Sequence, residues 1–118
     1  MSCKIKTPHG VISIENEVVA RIAGLAAMEC YGIVGMAAKS VKDGLVRLLR
    51  IESLTRGIKL TASDRSINID LHVIAEYGTN ITAICESLIS TVKYKVEDQC
   101  GLSVGRVNVY VEGLRTDG

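Results

Sequence analysis

Apolar residues recur along this chain in two rhythms, which divide it into strands and helices. The firmest alternation runs from Ser66 to Tyr77. Ile67, Ile69, Leu71, Val73 and Ala75 fall on one side of an extended backbone, and Asn68, Asp70, His72, Ile74 and Glu76 on the other, as period-two side-chain geometry requires. Such a strand has one face on a core and one face largely wet. Gly57 to Ala62 precedes it with turn residues Ser63, Asp64 and Arg65 between, so the two arms read as a hairpin. Further on, Ile81, Ile84, Cys85, Leu88, Ile89, Val92 and Val96 are spaced as one stripe of a helix. Thr79 or Asn80 can cap its start and Gly101 its end. The last strand is Val104 to Val111, where Val107, Val109 and Val111 alternate with Arg106, Asn108 and Tyr110.

The first half is less regular. Val11, Ile12 and Ile14 follow the turn-prone Pro8, His9 and Gly10 and predict a short strand. Glu15 to Cys30 predicts a helix that is apolar almost all round. Val18, Ile22 and Leu25 form a face of large side chains, while Ala20, Ala23, Gly24 and Ala27 form a face of small ones. Glu17 and Arg21, four apart, mark its wet stripe. A helix this apolar is either covered by its own fold or used as an interface. Glu29 reads as a carboxylate reaching solvent at the helix end. Gly32, Ile33, Val34, Gly35 and Met36 stop the helix and start an extended segment. From about Ser40 to Glu52, Val41, Leu45, Leu48 and Leu49 fit another helix, against Gly44, which costs about 1 kcal/mol relative to alanine there. The order β-α-β-α-β-β-α-β predicts an α+β two-layer sandwich, a mixed sheet with helices on one face. One domain accounts for residues 1–118, with its core at about 8–114.

Composition narrows the function classes. The chain has no Trp and no Phe, so Val, Ile, Leu and Ala must build the core. Its net charge of +1 gives no general attraction to nucleic acid or anionic membrane. The charge is uneven, however. Between residues 39 and 59, Lys39, Lys42, Arg47, Arg50, Arg56 and Lys59 stand against Asp43 and Glu52. This segment is a solvated face or a contact for an acidic partner. Cys3, Cys30, Cys85 and Cys100 form no CxxC pair, and two histidines cannot complete a zinc set with them. No metal or other cofactor is expected. The absence of a signal-peptide pattern agrees with a reducing cytosol. Val18 to Ala38 is apolar enough to raise a membrane span, but Arg21 and Glu29 lie within it, at about 2.5–3.5 kcal/mol for each central charge. Direct insertion is therefore not expected.

Two constellations invite a chemical reading. Asp70, His72 and Glu76 share a strand face, and carboxylates beside an imidazole do acid–base work or hold metals. Ile74 interrupts them, and no nucleophile motif accompanies them, so they read as an ordinary wet sheet face with no catalytic residue. The second is Gly32 to Gly35, a bare GxxG of the kind by which KH domains clamp a nucleic-acid backbone. The basic segment follows it, which makes a KH-like RNA binder the alternative function. Its inner residues Ile33 and Val34 carry no charge, and stacking aromatics are few.

Three stretches carry a family resemblance. They are Gly10 to Ile14 with Val18 to Ala27 and Gly32 to Met36; Arg56 to Leu60 with Ile69 to Ile81; and Gly101 to Val104 with Val107 to Gly113. In this order, over about residues 8–114, the chain resembles the alkaline shock protein family, the Gls-type envelope stress response proteins, and looks like a short member. The resemblance implies a bacterial cytoplasmic protein of stress response and envelope homeostasis, non-enzymatic and self-assembling. It also implies that an integral membrane protein can recruit it, and it supplies no catalytic residue. The expected function is thus a protein-interaction or scaffold module, homo-oligomeric. The expected interface is Ala20, Gly24 and Ala27, the neighbouring Met28, and the basic Lys39, Lys42, Arg47 and Arg50.

Overall fold

The computed structural model describes residues 2–39, 46–48, 55–63 and 66–116. Its centre is the alternating segment. Strand β6 (Ser66–Glu76) follows β1 (Ser2–Thr7), β2 (Gly10–Glu15), helix α1 (Asn16–Met28), β3 (Ile33–Lys39), β4 (Val46–Leu48) and β5 (Ile58–Ser63). After it come α2 (Ile81–Cys100) and β7 (Val104–Arg115). β7 runs parallel to β6 along its whole length, from Ile67 opposite Val104 to Glu76 opposite Arg115. Parallel neighbours need a long crossover, and α2 supplies it. The other edge of β6 is shared end to end. β5 pairs antiparallel with residues 66–71 and β3 with residues 73–75. β4 extends the sheet beyond β3, while β1 and β2 form a separate hairpin.

The predicted α+β class, with helices against a mixed sheet, is the observed one. Both helices bury their stripes in one core with the inner face of β6, where Ile69, Leu71 and Val73 are fully buried. α1 contributes Val19, Ala23, Ala26 and Ala27, and α2 contributes Ile84, Leu88, Val92, Val96 and Cys100. The small side chains of α1 let its backbone pack closely, which a core without Phe or Trp needs in order to leave no voids.

Two parts of the expected order change. Val46–Leu48, expected in a helix from Ser40 to Glu52, is a strand instead, with Ala37 opposite Leu48 and Lys39 opposite Val46. Its apolar spacing is short and interrupted by Gly44, and the open backbone edge of β3 offers a ladder that outweighs so weak a helical preference. The remainder of that expected helix lies outside the described residues. The second change is an added strand. Cys3 and Ile5 alternate with Lys4 and Lys6 in β1, which pairs with β2 through the two-residue loop Pro8–His9. Thr7 Oγ1 donates to the Gly10 carbonyl at 3.1 Å and accepts from the His9 N–H at 3.3 Å, fixing that turn.

The ends of α2 follow their sequence signals. Asn80 Oδ1 accepts the Ala83 N–H at 3.1 Å and caps α2, while Thr79 turns back to donate to the Glu76 carbonyl at 2.6 Å. Gly101 closes α2 in the left-handed region at φ 69°, and its N–H donates to the Glu97 carbonyl at 3.0 Å. Asn80→Ala is expected to cost about 1 kcal/mol, read as a lower urea midpoint with unchanged slope.

Candidate functional site

The wet face of β6 is built by its register with β7. Asn68, Asp70 and His72 stand opposite Arg106, Asn108 and Tyr110. Asp70 Oδ1 accepts from Asn108 Nδ2 at 2.9 Å. The His72 ring stacks on Tyr110, with centroids 5.0 Å apart and planes 17° from parallel. Its Nδ1 lies 2.8 Å from Glu112 Oε1. Glu112 reaches it because β7 carries an extra residue there, the register passing from Val73–Val111 to Ile74–Gly113. A bulge of this kind re-aims one side chain. A second bulge lies at Gly105, where a Cβ would stand 2.8 Å from Asn68 Oδ1. Glycine leaves that oxygen free to accept the Arg106 N–H at 3.0 Å.

Asp70 and His72 are each satisfied sideways by β7, and Ile74 between His72 and Glu76 is buried. Among the described residues no group of three His, Cys, Asp or Glu side chains is placed to hold a metal ion. The cysteines are free, and burial pushes the Cys85 and Cys100 thiols up, with Cys3 adding to the effect at Cys100. Raised thiols are weak nucleophiles at neutral pH.

The proposed RNA clamp dissolves in the fold. Gly32 to Gly35 does not join two helices, since Ile33 already opens β3 opposite Ala75. Gly32 takes φ +83° and packs against Ile84 of α2. The KH-like reading has no support from this arrangement.

The expected interface residues separate. Ala20, Gly24 and Ala27 are buried inside the chain, where they pack α1 onto its own fold. Met28 is half-buried against the same core. Lys39 ends β3 and Arg47 lies in β4 opposite Ala38. Lys42 and Arg50 lie outside the described residues. What α1 does expose is its other face. Val18 is 49% exposed and Leu25 42%, with Ile22 between them half-buried. The preceding strand exposes Val11 and Ile12 as well. Ile22, Leu25, Ala26 and Glu29 border a cleft of about 180 Å³ whose far wall is Lys95 and Gln99 of α2. A larger recess, about 480 Å³, lies at the start of α2 between Tyr31 and the Gly78–Asn80 turn. The large side chains Val18, Ile22 and Leu25 are legible as one helix face in the sequence.

The fold defines an α+β module, two helices packed on a mixed sheet. The chain belongs to the alkaline shock protein 23 family, whose model matches residues 4–116 and whose description is a cell envelope-related function. The expected alkaline-shock, Gls-type kinship therefore holds. It is 46% identical over 98% of its length to the uncharacterized protein YloU of Bacillus subtilis, covering 97% of that protein. It is 36% identical to the uncharacterized protein Spy1614 of Streptococcus pyogenes, over 100% of this chain and 98% of that one. A stress response regulator gls24 homolog of the same species is 27% identical over 92% of this chain, which spans 60% of that protein. No solved structure matches. No described helix is long and apolar enough to cross a membrane.

Proposed function

We propose that this protein is a non-enzymatic interaction module of the envelope stress response, working from the cytoplasm, self-associating and docking on protein partners, one of them an integral membrane protein. The observation that carries the reading is the exposed apolar stripe of α1, Val18, Ile22 and Leu25. A helix already buried on its small-residue side exposes large side chains on the other at a cost in solubility that a docking surface accounts for. The envelope-related family and its gls24 stress-response relatives support the physiological setting.

The test is a double substitution, Val18→Glu with Leu25→Glu. Both positions are about half exposed, so the fold is expected to persist with a change within about 1 kcal/mol. Binding should fall by more than about tenfold when apolar anchors are replaced by carboxylates. The measurement is complementation of envelope-stress sensitivity in a strain lacking the gene, alongside quantitative co-purification of membrane proteins. Wild-type complementation and wild-type recovery by the double variant would refute α1 as the docking surface.

A further inference from the structure

The strand that closes the sheet has one edge with no strand paired to it among the described residues. Among the described residues β7 makes a ladder with β6 alone. The direction of its free groups can be read off. Ile67 donates to the Ser103 carbonyl and Tyr77 to the Arg115 carbonyl, whereas Glu76 donates the other way, to Gly32. Odd residues of β6 thus bond toward β7, and in a parallel ladder each such residue reaches the two neighbours of its partner rather than the partner itself. The partners of Ile69, Leu71 and Val73 are Val107, Val109 and Val111. These three turn their own N–H and C=O groups outward.

Edge strands are normally blunted by bulges, prolines or inward charges. Here the two bulges, at Gly105 and Glu112, fall outside the stretch Arg106–Val111, which keeps an unbroken register with Asn68–Val73. That stretch contains no Pro and a single charge, Arg106. Val109 and Val111 at the rim are only half-buried, and Leu114 is 51% exposed.

We propose that this edge pairs with the same edge of a second copy, antiparallel about a two-fold axis through Val109. The choice of occupant rests on self-complementarity. Antiparallel partners must share a face, so Arg106, Asn108, Tyr110 and Glu112 can meet only one another, and the valines only valines. With the axis at Val109, Val107 faces Val111 of the second copy, Asn108 faces Tyr110, and Arg106 faces Glu112, each pair occurring twice. Moving the axis to Asn108 sets Arg106 against Tyr110, and moving it to Tyr110 sets Arg106 against Leu114. Only the Val109 register matches charge with charge. Glu112 holds His72 through Oε1, which leaves Oε2 for the arginine of the second copy. Two sheets then join into one, and an isologous contact of this kind closes on itself as a dimer.

The pairing rests on the self-association proposed above and assigns it a place. Its test is sedimentation velocity of the full chain across a concentration series. The wild type is expected to dimerise. Val109→Pro removes an outward N–H without touching the ladder to β6, and should weaken the dimer by about tenfold or more. Arg106→Glu should weaken it too by opposing Glu112, and adding Glu112→Arg to that variant should restore it. Circular dichroism checks folding; if Val109→Pro fails to fold, the charge series decides alone. A dimer indifferent to Val109→Pro and to Arg106→Glu overturns the edge while leaving self-association standing. A wild type that stays monomeric overturns both.

Discussion

Leu71→Ala is expected to remove about 2–5 kcal/mol of stability, a large part of the roughly 5–15 kcal/mol that holds a domain of this kind together. Leu71 is fully buried at the middle of β6. It stands between Ile58 of β5 and Val109 of β7 and belongs to the same buried core as Val19 of α1 and Leu88 and Val92 of α2. With no Phe or Trp anywhere in the chain, few side chains are large enough to move into the space. The cavity would therefore stay open, placing the cost toward the upper part of that range. The neighbouring His72→Ala supplies the contrast. His72 faces the other way, with its side chain 36% exposed, and its pairing with Glu112 is a part-exposed contact. Such contacts contribute about 0–1 kcal/mol. Urea unfolding of the two variants should differ in midpoint several-fold more than in slope. Equal losses at Leu71 and His72 would mean that the two faces of β6 are not divided as described.

That division was legible in the sequence, because strict alternation over one long strand leaves little room for another reading. The same holds for α2, whose stripe and terminal Asn80 and Gly101 all agree. Agreement faded where the signals were short. Val46–Leu48 carries three residues whose spacing also suits a helix, and only the open edge of β3 decides between them. The N-terminal Cys3–Ile5 alternation is likewise too brief to stand without its partner Ile12–Ile14. Ala20, Gly24 and Ala27 show a different limit. Small side chains announce close approach of a backbone, but nothing local says whether the approaching surface belongs to this chain or to another. His72 could be placed on a polar face from its own strand. Glu112 could not be joined to it, since their contact depends on a parallel register set through α2 and on one bulged residue. The outward edge of β7 is hidden for the same reason, being a property of pairing rather than of pattern.

Gly32→Ala should cost about 2–5 kcal/mol. Two costs add. A residue with a side chain is strained at φ +83°, worth about 1–2 kcal/mol. The new Cβ would also overlap the Ile84 side chain, and overpacking in a filled core costs about 1–3 kcal/mol. Gly78 separates the two terms. It has φ +90°, yet a Cβ there would meet nothing within 4 Å, so Gly78→Ala should cost the strain alone. The difference between the two variants then reports the contact with Ile84. A double-mutant cycle checks its origin, because Gly32→Ala in an Ile84→Ala background should lose most of the overlap and show coupling of about 1 kcal/mol or more. Equal destabilisation at Gly32 and Gly78, or no coupling to Ile84, would show that the glycine is not held by α2. The first glycine of the GxxG pattern is thus accounted for by the seam between α1, β3 and the start of α2. It needs no phosphate to explain it.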